Sequence, residues 1–109
     1  MKILSQQVAR AASLLLLASG AATAADLEAG RVKASTCMGC HGIPSYVNTY
    51  PTYHVPYLGG QHPDYIISAL KGYQSGERNH PTMQAQAGSM SEQDMQDIAA
   101  FLSQAPRAK

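Results

Sequence analysis

Two cysteines three positions apart, with a histidine directly after the second, constrain this 109-residue chain more than any other feature in it. They read Cys37-Met38-Gly39-Cys40-His41, and they are the only cysteines present. A thioredoxin-like dithiol of this spacing belongs beside a βαβ pattern, which the chain lacks. A zinc site needs four ligands, usually from a second Cys pair or a closely spaced His pair. His54, His62 and His80 show no such pairing. A plain disulfide across two residues closes too short a loop to contribute much. The remaining reading is attachment of a c-type haem. Two thiols add across the porphyrin vinyl groups, the spacing sets both sulfurs at one edge, and His41 follows as the proximal iron ligand.

Composition supports a bound group inside the fold. The chain has no Trp, one Phe (Phe101) and six Tyr, so large apolar core fillers are scarce. Domains of this size often borrow stability from a metal or another bound group.

Residues 1–24 read as a secretory signal peptide. Lys2 and Arg10 precede an apolar run with four consecutive leucines, and Ala22-Thr23-Ala24 ends it as a cleavage site. The run is shorter than the ~20 residues that a bilayer span requires. The competing reading is an uncleaved N-terminal anchor. Cleavage leaves residues 25–109 as one domain with no membrane span. Loss of Lys2 and Arg10 lowers the basic count from 8 to 6 against 7 acids, a net charge of −1. That excludes the basic patch nucleic-acid binding requires.

Three helices are expected, in a small all-α domain. Asp26 caps the first, which runs through Leu27, Gly30, Val32 and Ala34 into the cysteines. Pro44, Pro51, Pro56 and Gly59-Gly60 break any helical period between His41 and Gln61. A second helix fits from about His62 to Gln74, with Pro63 and Asp64 in its first turn. Ile66, Ala69, Leu70 and Tyr73 lie on its apolar face, and Gly76 stops it. Residues 77–90 read as irregular. Ser91, with Asp94 three residues on, caps the last helix; Met95, Ile98, Ala99 and Leu102 form its apolar face, and Pro106 ends it.

In this order the residues resemble the single-haem class I cytochromes c exported by bacteria. The likeness runs from Asp26 to Leu102. It rests on Ala29-Gly30-Arg31, the Cys37–His41 string with Gly42, and Pro56-Tyr57-Leu58-Gly59-Gly60-Gln61. Tyr65-Ile66, Ser75-Gly76-Glu77-Arg78, Met83 and the helix start at Met90-Ser91-Glu92 extend it. The resemblance implies a small cytochrome c fold, with first and last helices crossing and loops enclosing the haem. Gly30 would allow the close approach, and Phe101 would pack over it. The Pro56 carbonyl would accept the Nδ1–H of His41, which fixes the tautomer and raises its basicity toward iron.

For the sixth ligand, Met38 lies too close to the tether, and Met95 belongs to the apolar face of its helix. Met83 follows Pro81 in an irregular stretch and matches the family's ligand position. Met90, before the Ser91 cap, and His80, three residues from Met83, are the alternatives. Arg78 either pairs with a haem propionate, as guanidinium forks suit carboxylates, or is a solvated surface residue. Gln61 and the tyrosines are further propionate partners. The tyrosine-rich segment 45–54 either lines the haem crevice, forms a docking surface or scaffolds a loop.

A thioether ligand stabilises ferrous iron, and two filled axial positions leave no vacancy for substrate. The expectation is a periplasmic electron carrier and not an enzyme, with one covalent haem c. It would dock transiently with redox partner proteins at the exposed haem edge, over about 1,200 Å² or less. Two other readings compete: a haem-based ligand-binding sensor, and a dedicated cytochrome subunit of a larger oxidoreductase complex.

Overall fold

The computed structural model describes residues 24–109, so the signal-peptide reading lies outside the described residues except for Ala24. Asp26 opens helix α1 (Leu27–Lys33), its carboxylate accepting the Ala29 N–H at 3.0 Å. Helix α2 (Ser35–His41) follows after Ala34 alone. The first helix therefore does not run unbroken into the cysteines. Ala34 closes α1 with its N–H on the Gly30 carbonyl, and its own carbonyl accepts the N–H groups of Cys37 and Met38.

Two further elements lie where no regular structure was expected. Strands β1 (Val47–Thr49) and β2 (Thr52–His54) form an antiparallel hairpin with Asn48 opposite Tyr53. Helix α3 (Pro63–Ser75) matches expectation, and Gly76 ends it at φ 85, a left-handed conformation that glycine adopts without steric cost. Helix α4 (Pro81–Ala87) occupies the stretch that read as irregular. Pro81 starts this helix instead of breaking it, because its missing N–H falls in the first turn, where no partner exists. Helix α5 (Glu92–Gln104) carries a complete capping box: the Ser91 hydroxyl accepts from Asp94 N–H, and the Asp94 carboxylate accepts from Ser91 N–H.

The core is small and lies where α1, α3 and α5 meet. Ile66 and Leu70 from α3 pack against Met95, Ile98, Ala99 and Leu102 from α5, with Ala34 and Ala87. Each large apolar side chain buried this way contributes about 1.5–3 kcal/mol. Helices α1 and α5 cross at Gly30, as the resemblance implied. A Cβ there would overlap the Asp97 carbonyl and lie 3.0 Å from the Phe101 Cβ. The all-α class stands, with the small hairpin added at one side. No helix among the described residues is long and apolar enough to cross a membrane.

A buried carboxylate locks the same crossing. Asp97 is 2% exposed and accepts the Asp26 N–H at 2.8 Å, Gln93 Nε2 at 2.8 Å and Lys33 Nζ at 2.7 Å. The Asp26 amide first, then Lys33, holds its carboxyl below the ordinary value. Lys33 also reaches Asp94 at 2.8 Å. Lys33, and then the Ser91 amide, pulls Asp94 down to about 2 from an ordinary 3.8.

A depressed folded-state value means the unfolded chain binds the proton more readily. This stabilisation is therefore complete above pH ~4 and is lost as pH falls toward about 2. Asp94→Asn, which keeps an oxygen for the cap, is expected to flatten the acid limb of a stability-against-pH curve in that window. Chemical denaturation at stepped pH checks this; an unchanged limb contradicts it.

Candidate functional site

Helix α2 presents the attachment string along one side of a cavity of about 400 Å³, lined mainly by apolar atoms. Cys37, Cys40 and His41 all border it. Residues Val55–Leu58 close the His41 side, α3 forms a wall with Ile66, Ala69, Leu70 and Tyr73, and α4 contributes Thr82, Met83 and Gln86. The hairpin adds Tyr53 and His54. The enclosure is thus partly helical, and the cavity continues the apolar core beyond its few buried side chains.

His41 Nδ1 lies 2.7 Å from the Pro56 carbonyl oxygen. A carbonyl can only accept, so this nitrogen carries the proton and Nε2 is left with its lone pair for a metal. The His41 carbonyl also accepts the Leu58 N–H at 3.2 Å, so the same loop is tied to α2 twice. Burial pushes the Cys37 thiol above its ordinary value. That is the reverse of a redox dithiol, whose cysteine is activated by a lowered value. Among the described residues no group of three or more His, Cys, Asp or Glu is placed to hold a metal ion. Two free thiols and an oriented imidazole facing an apolar cavity fit a covalently attached haem.

Of the candidates for a second iron ligand, Met83 and Met90 border the cavity and so do His54 and His80. Met38 and Met95 do not; Met95 is 1% exposed inside the core. Met83 lies on the first turn of α4, not on the irregular backbone expected. His80 is engaged elsewhere: its Nδ1 accepts the Met83 N–H at 3.4 Å, and its ring meets Tyr53 edge-on with centroids 4.8 Å apart. Met90 has its backbone carbonyl held by Gln74 Nε2 at 2.8 Å, and its side chain, like that of Met83, packs against the core.

Arg78 borders the cavity with its guanidinium 4.6 Å over the Tyr73 ring, and its N–H is held by the Gly72 carbonyl. Among the described residues it pairs with no carboxylate, so its charge is available at the cavity wall. Gln61 Oε1 accepts the His62 N–H at 2.9 Å. The tyrosine-rich segment divides in two. Tyr53 turns inward to the cavity, and Tyr50 is 95% exposed at the hairpin turn. Sequence reasoning missed Thr82, Gln86 and the buried Asp97, since none belongs to an apolar period or a motif.

Comparison with known proteins agrees with this geometry. Residues 27–106 match the family model for cytochrome c. The chain is 39% identical to cytochrome c-554(548) of Halomonas halodenitrificans over 83 residues, covering 73% of this chain and 96% of that one. It is 35% identical to cytochrome c4 of Pseudomonas aeruginosa over 82% of its own length, but spans only 44% of that relative. A solved cytochrome c4 from Acidithiobacillus ferrooxidans superposes with a TM-score of 0.58 at 25% identity, over 77% of this chain and 52% of that one. Its structure is described as supporting a complex-induced tuning of electron transfer. Attachment string, fold and relatives converge: the chain belongs to the cytochrome c family, as a bacterial class I member that carries covalent haem c and transfers electrons.

Proposed function

We propose that the chain is exported, loses residues 1–24, and works in the periplasm as a carrier of single electrons between larger redox proteins. Cys37 and Cys40 would hold the haem, His41 and Met83 would bind its iron, and Arg78 would pair with a propionate. The observation that carries this reading is that Cys37, Cys40, His41 and Met83 all border one apolar cavity, with His41 Nδ1 tied to the Pro56 carbonyl.

Bound there, the haem supplies a one-electron ferric–ferrous couple. The residues set its character. Pro56 fixes the His41 tautomer and makes the imidazole a stronger donor. The Met83 thioether, a soft ligand, favours the ferrous state and raises the potential. The apolar walls of α3 exclude water and disfavour the extra positive charge of the oxidised form. With His41 and Met83 both bound to it, the iron would have no place for substrate, which would make the protein a carrier and not a catalyst. With a mature net charge near neutral, partner choice rests on local patches around the cavity mouth more than on long-range steering.

Carbon monoxide separates this reading from a sensor. The ferrous protein is expected to keep its spectrum under carbon monoxide, because Met83 occupies the position the gas needs. A rapid shift of the main absorption band on adding the gas would instead favour the ligand-binding sensor.

A further inference from the structure

The chain's hairpin has no assigned role, yet it contacts α4 at the turn that carries Met83. Asn48 and Tyr53 face each other across the two strands, and both are half-buried while their strand neighbours are exposed. Tyr53 O–H donates to Thr82 Oγ1 at 3.2 Å, and its ring meets His80 edge-on at 4.8 Å. The Tyr73 ring approaches His80 from α3, also edge-on, at 6.3 Å. His80 is thus gripped between two tyrosines while it caps α4. The capping is reciprocal: Nδ1 accepts the Met83 N–H at 3.4 Å, and the His80 N–H donates to Gln84 Oε1 at 3.2 Å.

At the other end of α4, Gln74 Nε2 donates to the Ala87 carbonyl at 2.9 Å. A helix of seven residues is too short to hold itself together in water, so outside contacts must keep it formed. Those at its N-terminal end come from the hairpin and from His80.

We propose that Tyr53 and His80 are positioning residues for Met83: the hairpin braces the first turn of α4 through the His80 ring and the Thr82 hydroxyl, and so holds the thioether in place. This rests on the reading of Met83 as the sixth ligand. The bracing acts through the cap and the aromatic contact, since neither residue needs to bind iron. Tyr50, exposed at the hairpin turn, plays no part in it.

The test uses ferric holoprotein at neutral pH, with imidazole as the competing ligand. Displacement is followed by loss of the far-red sulfur-to-iron band. His80→Ala is expected to speed displacement by about fivefold to tenfold, the factor that loss of one helix cap contributes, and Tyr53→Leu, which removes the Thr82 hydrogen bond and the edge-on ring contact, by about fivefold. His80→Asn keeps a cap acceptor without the imidazole ring, so it restores the cap but not the Tyr53 contact and is expected to fall between His80→Ala and wild type. Thr82→Ala, at an exposed position, removes one hydrogen bond and is expected to speed displacement by about twofold.

Rates for Tyr53→Leu and His80→Ala within twofold of wild type would overturn the proposal. So would His80→Asn exchanging as fast as His80→Ala. If Tyr53→Leu gives no holoprotein, Thr82→Ala decides: a wild-type rate there overturns the bracing. A wild type without the far-red band would sink the ligation reading and this proposal with it; a wild-type band with unaffected variants sinks the proposal alone.

Discussion

Met83→Ala is expected to abolish the far-red band of the ferric protein and to open the ferrous protein to carbon monoxide. The reduction potential should fall by roughly 0.1–0.3 V, a fraction of the ~0.8 V span that axial ligation covers in haem proteins. The reasoning is local. Met83 is one of two methionines that border the cavity, and it lies on the turn that His80 and Tyr53 hold in place. On the proposed ligation, removing its sulfur would leave iron with a vacant or water-filled position, which would favour the ferric state and admit exogenous ligands. Met90→Ala, by contrast, alters a residue beyond the end of α4, whose carbonyl Gln74 holds, and should keep the band. Loss of the band in Met90→Ala with retention in Met83→Ala would exchange the two assignments.

Gly30→Leu is expected to have the largest effect on stability. Any Cβ at this position overlaps the Asp97 carbonyl oxygen and lies 2.7 Å from the Asp97 carbonyl carbon. Both are backbone atoms of α5, so no rotamer change relieves the clash, and α1 must move away. Lys33 and the Asp26 amide would then lose their hold on Asp97. Overpacking where side chains can give costs about 1–3 kcal/mol; against backbone, a cost of ~3 kcal/mol or more follows. For a domain of this size that lowers Tm by about 10–20 °C. Gly39→Ala is the control, because a Cβ there meets nothing within 4 Å. Thermal unfolding followed by circular dichroism checks both; a Gly30→Leu protein melting within a few degrees of wild type would contradict the close crossing.

What was legible in the chain before its structure follows from where the stabilising contacts come from. Helices α3 and α5 were readable because their own apolar spacing and their own end signals agree. Pro63 opens one and Gly76 closes it, and Ser91 with Asp94 caps the other. The haem attachment string was readable because its chemistry is local to five residues. Gly30 and the Pro56 carbonyl were reached through the family resemblance, and the structure puts both where that implied.

Helix α4 was not legible, and the reason is physical. Pro81-Thr82-Met83-Gln84-Ala85-Gln86-Ala87 offers only one apolar i, i+4 pair that packs on the core, Met83 and Ala87, and two of its supports, Tyr53 and Gln74, come from other elements. The hairpin was hidden in a similar way: each strand is three residues long, too short for alternation to register. Asp97 looked like one more polar position on α5. Its burial depends on Asp26, 71 residues away, and on Lys33, 64 residues away. Pairings of that range leave no mark in a local pattern.

These contacts also relate the fold to the function. The α1–α5 crossing brings α1 against the core and, through Ala34, sets where α2 begins, so the attachment string inherits its position from a packing contact at Gly30. On the other side of the cavity, α3 anchors α4 through Gln74, and the hairpin holds its first turn. The two proposed axial residues are thereby carried on separate supports, which makes each separately testable by mutation.

The most direct test of the central claim is the absorption spectrum of the ferric wild-type protein, matured with its haem. The haem should stay with the chain after denaturation, through Cys37 and Cys40, and the folded protein should show the far-red sulfur-to-iron band that Met83 ligation produces. A chain that carries no covalent haem would contradict the reading of Cys37–His41, and a covalent haem without that band would contradict His/Met ligation.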